Sequence, residues 1–402
     1  MRHTENKYGI SIVWLLLIAT VVAGCTTNED LLSPDKEGGT EMTLLVEKTR
    51  AAKVSAIDAS STEEDILEYL RTFNGEFEVG SKIRLVNNQI GKVPNYKVLE
   101  KGTSSGHNGY FEYYCAEDDT TSDGFYKFKP SIPEHKLYWA DNTKTGDPNA
   151  IFTTGSYYAF NALYYWVYES DGASGFDEIG IDESTGSVYG HVLEDQSSEK
   201  RFRACDVMQA HHLKDFKSQR GEVIKLRFWH QLAMLVINVN VPKETFGVGF
   251  TSSQMQEAVC TLTDFYCGFY LPYNLDFASD GYMATNHIGA PYEKTTNITM
   301  WPVGGVREYA DAEGAKLVRT YAALVPNQIK KDERLCRFQV NNKNYTYTPK
   351  GNVELWQTNM TIIDLRINPG ITEPILLNAR ILPWGNAYVP DFPLYPEKES
   401  NN

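Results

Sequence analysis

The chain is short of basic residues: 38 Lys and Arg stand against 52 Asp and Glu, for a net charge of −14. A surface of that sign repels phosphate backbones, which removes nucleic acid from the partners to consider. Catalytic motifs are missing as well. There is no HExxH zinc pair and no GxSxG nucleophile elbow, since Gly172-Ala173-Ser174-Gly175 lacks the spacing. Gly304-Gly305 and Gly247-Val248-Gly249 are followed by no Lys-Ser or Lys-Thr, so neither reads as a phosphate cradle. His211-His212 are neighbours on unlike faces, with no carboxylate at ligand spacing, so no metal site is expected. Asp177, Glu178 and Asp182 read as a solvated acidic loop rather than a hydrolytic pair. With no nucleophile, metal set or cofactor-binding pattern, the chain does not read as an enzyme. Cysteine is sparse at six, and its spacing is no disulfide framework. There is no internal repeat and no low-complexity block. The apolar run near the start, Ile10–Gly24, covers fifteen residues, short of the about 20 a membrane helix needs.

That run has the form of an export signal: a basic start at Arg2 and Lys7, an apolar middle and a small-residue end. Val22-Ala23-Gly24-Cys25 resembles a bacterial lipobox, in which the cysteine sulfur is acylated and cleavage leaves it as the first residue. Removal of 1–24 then leaves Cys25 carrying acyl chains. Each buried CH₂ adds about 0.8 kcal/mol, and two or more chains give a stable anchor. The remaining chain is expected to work outside the cytoplasm. Residues 25–40, polar, acidic and broken by Pro34, Gly38 and Gly39, read as a disordered tether. With Cys25 lipidated, Cys115, Cys205, Cys260, Cys267 and Cys336 remain, and buried thiols are the better reading for most of them.

Beyond the tether the pattern is that of strands. In Glu41–Thr49, Met42, Leu44 and Val46 alternate with Thr43 and Glu47. Arg50-Ala51-Ala52-Lys53 reads as an exposed loop. One helix stands out: Thr62 caps it, Glu63, Glu64 and Asp65 face the positive end of its dipole, and Asn74-Gly75 stops it. Phe77–Leu85, Tyr110–Cys115 with Phe125–Phe128, and Tyr157–Tyr168 read as short strand pairs. Arg203–His212 reads as a compact linking segment, followed by a boundary near Lys214–Gly221. Glu222–Val241 is the longest strand-like run; a β-bulge is expected where its apolar phase shifts. Strands are also expected at Ala258–Phe265, Leu317–Val325, Arg337–Tyr347, Met360–Ile367 and Ile375–Ile381. The class is all-β sandwich, with domains at 41–216 and 217–402. His230, on an apolar strand face, reads as a hydrogen-bonded core histidine. The aromatic run from Tyr157 to Tyr168 reads as core packing.

Several segments, taken in order, resemble the fimbrillin family of Bacteroidales, lipoproteins that build type V fimbriae. They are the lipobox at Cys25, Thr49-Arg50-Ala51 after a first strand, Phe77–Leu85, and Leu137-Tyr138-Trp139. Ala159–Tyr165, Asp206–Ala210, Leu226–Ala233 and Ala323–Gln328 come next, then Tyr345-Thr346-Tyr347 and a closing Leu382-Pro383-Trp384. The resemblance implies two transthyretin-like β-sandwich domains and no catalytic site. It implies a lipidated precursor at the outer membrane and cell surface, cut by an arginine-specific protease at Arg50-Ala51. The strand Met42–Glu47 is then lost, with Met42, Leu44 and Val46 leaving the core, and a neighbour's extended segment fills the groove.

The partners so implied are other fimbrial subunits, the outer membrane through the lipid anchor, the protease, and a host or bacterial receptor. The tail Ala387–Pro396 has the parity of a donor strand at Tyr388, Phe392 and Leu394. Pro390, Pro393 and Pro396 lack the N–H that a buried strand needs, which suits an accessory or tip subunit, or a polyproline-like cover. The competing reading is a surface glycan-binding lipoprotein, also an acidic, tethered β-sandwich.

Overall fold

The computed structural model describes residues 43–47, 57–73, 77, 79–87, 111–120, 125–131, 157–165, 180–182, 187–215, 223–272 and 295–384. The first half carries β1 (Leu44–Glu47), α1 (Glu63–Thr72), β2 (Lys82–Asn87), β3 (Phe111–Thr120), β4 (Phe125–Pro130) and β5 (Tyr157–Tyr165). It continues with β6 (Gly180–Asp182), β7 (Ser187–His191), α2 (Glu199–Ala204) and β8 (Val207–Asp215). Next come β9 (Ile224–Leu226), β10 (Trp229–His230), β11 (Ala233–Pro242) and α3 (Ser252–Gln256). The remaining strands are β12 (Val259–Phe265), β13 (Gly268–Pro272), β14 (Thr296–Thr299), β15 (Trp301–Asp311) and β16 (Gly314–Val325). They end with β17 (Gln328–Lys330), β18 (Cys336–Val340), β19 (Lys343–Tyr347), β20 (Val353–Leu355), β21 (Asn359–Arg366) and β22 (Ile375–Pro383). The class is all-β, and among the described residues no helix is long and apolar enough to cross a membrane.

Two cores result. The first belongs to an eight-stranded sheet in the order β10-β8-β5-β2-β3-β4-β1-β9. Alternate residues of nearly every strand meet in it: Leu44 and Val46, Ile83 and Leu85, Tyr113 and Cys115, Tyr126 and Phe128, Ala162 and Tyr164, Ile224 and Leu226. One face of one sheet can converge on itself only if the sheet curls over. Phe77 plugs the centre, with ring centroids 4.8 Å from Tyr164, 5.4 Å from Phe228 and 5.5 Å from Phe128.

The second core lies between a five-stranded sheet, β15-β16-β11-β21-β22, and a four-stranded sheet, β14-β12-β18-β19. Its axis is β11, where nine consecutive residues from Ala233 to Val241 are buried. Alternation predicts one wet face; here α1 covers the second, through Ile66, Leu70 and Phe73. The helix starts as its sequence dictates, in a capping box between Thr62 and Asp65, and its last residue is Thr72, with Phe73 as C-cap.

The crossing between the two cores corrects the sequence reading. Glu222–Val241 is not one bulged strand: it breaks into β9, β10 and β11, the first two in the eight-stranded sheet and the third at the heart of the five-stranded one. The apolar phase shift marks a change of core. Leu226 and Phe228 sit in the first core, Leu232 and Met234 in the second. The change of sheet thus falls between His230 and Ala233. Arg203–His212 is no linker either; it holds the end of α2 and most of β8, which pairs with β5 over nine residues. Residues 157–165 form one strand rather than a strand pair. The second-half strands fall where expected, with Arg337–Tyr347 resolved as the hairpin β18–β19.

His230 is buried and hydrogen-bonded, its Nδ1 2.9 Å from Asp206 Oδ1. Its ring stacks on Trp384 at 3.7 Å and 11°, which fastens the end of the first sheet to the end of the second.

Candidate functional site: the groove around the first strand

β1 is four residues long and lies between two neighbours. It pairs antiparallel with β4 (Leu44 with Phe128, Val46 with Tyr126) and parallel with β9 (Leu44 with Ile224, Val46 with Leu226). The Ile224 N–H donates to the Thr43 carbonyl at 2.8 Å. The site is therefore assembled from three distant parts of the chain. Removing β1 would leave the facing N–H and C=O groups of β4 and β9 without partners.

The side chains repeat the pattern. Leu44 and Val46 point into the first core and are 1% and 0% exposed. Around them stand Tyr126, Phe128, Ile224 and Leu226, with Phe77 behind. Leu45 faces the other way, opposite Lys127 and Lys225 in register, and is also buried. Leu45, Ile224, Leu226 and Phe77 carry no sequence signal that marks them as groove residues. The parallel partner β9 lies some 180 residues downstream of β1, and no local pattern announces so distant a pairing.

The segment beyond β1 is held firmly. Ile57–Ala59 lies against Gly304 and Gly305, and a Cβ on Gly305 would come 2.7 Å from the Ala59 Cβ and 2.8 Å from its Cα. That approach requires glycine. Asn238 of β11 bridges Glu63 at 3.4 Å and Asp364 at 2.7 Å, and Arg380 of β22 ion-pairs with both acids. Thr320 donates to Asn238 Oδ1 at 2.6 Å, and Arg307 donates to Thr320 at 2.8 Å. The segment from Ile57 to Phe73 is thus pinned to the second core, while β1 belongs to the first.

Of the sequence-predicted residues, Leu44 and Val46 are in the groove. Met42, Arg50, Ala51 and Cys25 lie outside the described residues, as does the tail Ala387–Pro396. Asp177 and Glu178 lie outside them as well. The five other cysteines are buried thiols. Burial pushes the Cys205 thiol well above its ordinary value. A hydrogen bond with Cys336, together with burial, does the same to Cys260. Among the described residues no group of three His, Cys, Asp or Glu side chains gathers to hold a metal ion.

Comparison with known proteins gives one family. The family model described as fimbrillin-like matches residues 84–384. Among solved structures, the chain is similar to a protein ascribed to cell adhesion from Bacteroides uniformis, at 12% identity and a TM-score of 0.49, with 88% of this chain and 100% of that one covered. A second such protein, from Bacteroides ovatus, matches at 12% identity and a TM-score of 0.45, covering 86% and 98%. The fimbrial anchor protein Mfa2 of Porphyromonas gingivalis matches at 8% identity and a TM-score of 0.35, covering 86% and 98%. No curated protein matches the sequence.

Proposed function

The chain belongs to the fimbrillin-like family of cell-surface fimbrial and adhesion proteins, and from that premise we propose that it is a fimbrial subunit assembled by protease-triggered strand exchange. The observation that carries the reading is the place of β1. It fills a two-sided slot with alternate apolar side chains, and it precedes a segment fastened elsewhere.

The steps accord with that arrangement. The precursor is tethered to the outer membrane through acyl chains on Cys25. An arginine-specific protease cuts after Arg50, in the connection between β1 and Ile57. The segment from Ile57 stays docked against Gly304 and Gly305. β1 is now joined to the body only by its own contacts, and it departs. The opened slot offers backbone donors and acceptors on β4 and β9 and apolar sockets where Leu44 and Val46 had been. An extended segment of another subunit with apolar residues two apart satisfies both. Backbone bonds supply affinity, and the two sockets supply selectivity. The role is structural: the site recognises a strand and carries out no covalent chemistry.

Arg50→Ala tests this. Wild-type protein treated briefly with an arginine-specific protease should lose residues up to Arg50 and self-associate, read by sedimentation velocity. The variant should stay monomeric under the same treatment. Equal behaviour of the two proteins, whether both assemble or both stay single, would defeat the proposal. A monomer that binds polysaccharide whatever is cut would favour the glycan-binding reading.

A further inference from the structure

The groove of β1 has an inner face of apolar sockets and an outer face of different chemistry. On the outer face one row of the sheet reads Lys127, Leu45, Lys225. Leu45 is in register with Lys127 of β4 on one side and with Lys225 of β9 on the other. Lys129 shares the phase of Lys127 along β4, and Arg227, directly after β9, shares that of Lys225. The residues that alternate with them, Tyr126, Phe128, Ile224, Leu226 and Phe228, are buried in the first core. Alternation therefore puts the four cations on the outer lips of the slot.

Nothing in the packing of the core asks for this. The chain as a whole is acidic, with 38 Lys and Arg against 52 Asp and Glu. Yet two strands from distant parts of it bring one sign of charge to both sides of one slot. Neighbouring strands lie about 4.8 Å apart, so Lys127 and Lys225 stand in one row with roughly 10 Å between their backbones. The residue of β3 in register with Lys129 is Tyr114, a neutral side chain. The Lys225 ammonium lies 4.5 Å from the centroid of the Phe125 ring, which holds it over the lip. A carboxylate at the centre of this row would face a lysine on each side, and opposite charges on adjacent strands attract. β1 places Leu45 there; its one acid, Glu47, is two residues on, in register with Phe125.

We propose that the groove of β1 takes a strand with an Asp or Glu between its two apolar residues, the carboxylate filling the row between Lys127 and Lys225. The inference rests on the strand-exchange reading and adds the chemistry of the incoming segment: apolar, acidic, apolar, where β1 reads Leu44-Leu45-Val46. Leu45 is held by burial, which any apolar residue supplies. A carboxylate is recognised by charge, which few strands carry at that position. Selectivity and a faster encounter, rather than tightness, are what the lysines add.

The test titrates cut protein, freed of β1, with labelled peptides of residues 41–50 carrying Leu45→Glu or Leu45→Gln. The two differ in charge and hardly in shape, so the burial lost with Leu45 cancels between them. By fluorescence anisotropy at low ionic strength the Leu45→Glu peptide should bind about threefold or more tighter than the Leu45→Gln peptide, and the gap should close in about 1 M salt. Lys225→Glu, at an exposed position, leaves one charge of each sign in the row and should narrow the gap. Equal binding of the two peptides, or a gap unchanged by Lys225→Glu, would overturn the proposal and leave strand exchange standing. Failure of every peptide to bind at about 1 mM, the wild-type 41–50 sequence included, would sink strand exchange and this inference with it. Assembled fibres give a second arm without any substitution. A carbodiimide joins a lysine amine to a carboxyl in contact with it as an amide and takes up the water released. Peptide mapping should find Lys127 or Lys225 linked to an Asp or Glu of another subunit that has apolar residues on both sides. Links from these lysines only to their own chain, or none, would overturn it.

Discussion

Cutting after Arg50 should release β1 without any further agent, because its own contacts are too few to hold it as a separate peptide. Three side chains, Leu44, Leu45 and Val46, are buried, and each contributes about 1.5–3 kcal/mol, or about 4.5–9 kcal/mol together. Ordering four backbone residues costs about 1–2 kcal/mol each, roughly 4–8 kcal/mol, so these two contributions nearly cancel. Ladder bonds to β4 and β9 add about 0.5–1.5 kcal/mol each. In the uncut chain that margin suffices, since the strand cannot diffuse away. A free peptide also loses translational and rotational freedom, at least about 4 kcal/mol. A labelled peptide of residues 41–50, titrated with cut protein and followed by fluorescence anisotropy, should therefore bind more weakly than about 1 μM. It should separate from the body on gel filtration. A nanomolar dissociation constant, or co-elution at micromolar protein, would refute the reasoning and show that release needs force or a displacing strand.

The same contacts set other outcomes. Gly305→Val should drive a side chain into Ala59 and loosen Ile57–Phe73, seen as faster hydrogen exchange there while the eight-stranded sheet keeps its protection. Thr62→Ala removes the cap of α1 and should cost about 1 kcal/mol in urea unfolding, with no change in the groove. The hydrogen bonds from the Thr62 hydroxyl and backbone N–H hold the Asp65 carboxyl below its ordinary value. Its contribution is present above the unfolded value of about 3.9 and is lost as pH falls through the lower folded value. Exchange at the start of α1 should therefore be slow at neutral pH and quicken below about pH 4, and Asp65→Asn should remove that dependence. Finally, Cys115, Cys205, Cys260, Cys267 and Cys336 are buried and should resist iodoacetamide at neutral pH in the native protein. All five should react in denaturant without reductant, as shown by intact mass.

Local chemistry is legible in this chain and long-range pairing is not. The Thr62–Asp65 signal locates the helix start because capping is settled within four residues. The hairpin β18–β19 and strand β12 are evident from alternation, because each buries one face, whereas β16 and β21, buried on both faces, are evident as apolar runs. Glu222–Val241 misleads because alternation reports which side of a strand is apolar, not which sheet it joins. The groove is half legible. Leu44 and Val46 stand out by parity, but their sockets at Ile224 and Leu226 depend on a parallel pairing across most of the first half of the chain. Lys127 and Lys225 are hidden for the same reason, since only the folded register puts them in one row.

The central claim is that the working form of this protein has lost its first strand. Intact-mass analysis and N-terminal sequencing of the chain recovered from assembled surface fibres test it most directly. The account predicts a chain that begins at Ala51, with Leu44–Glu47 absent from the fibre. Assembled chains that still carry residues 41–49 would contradict it.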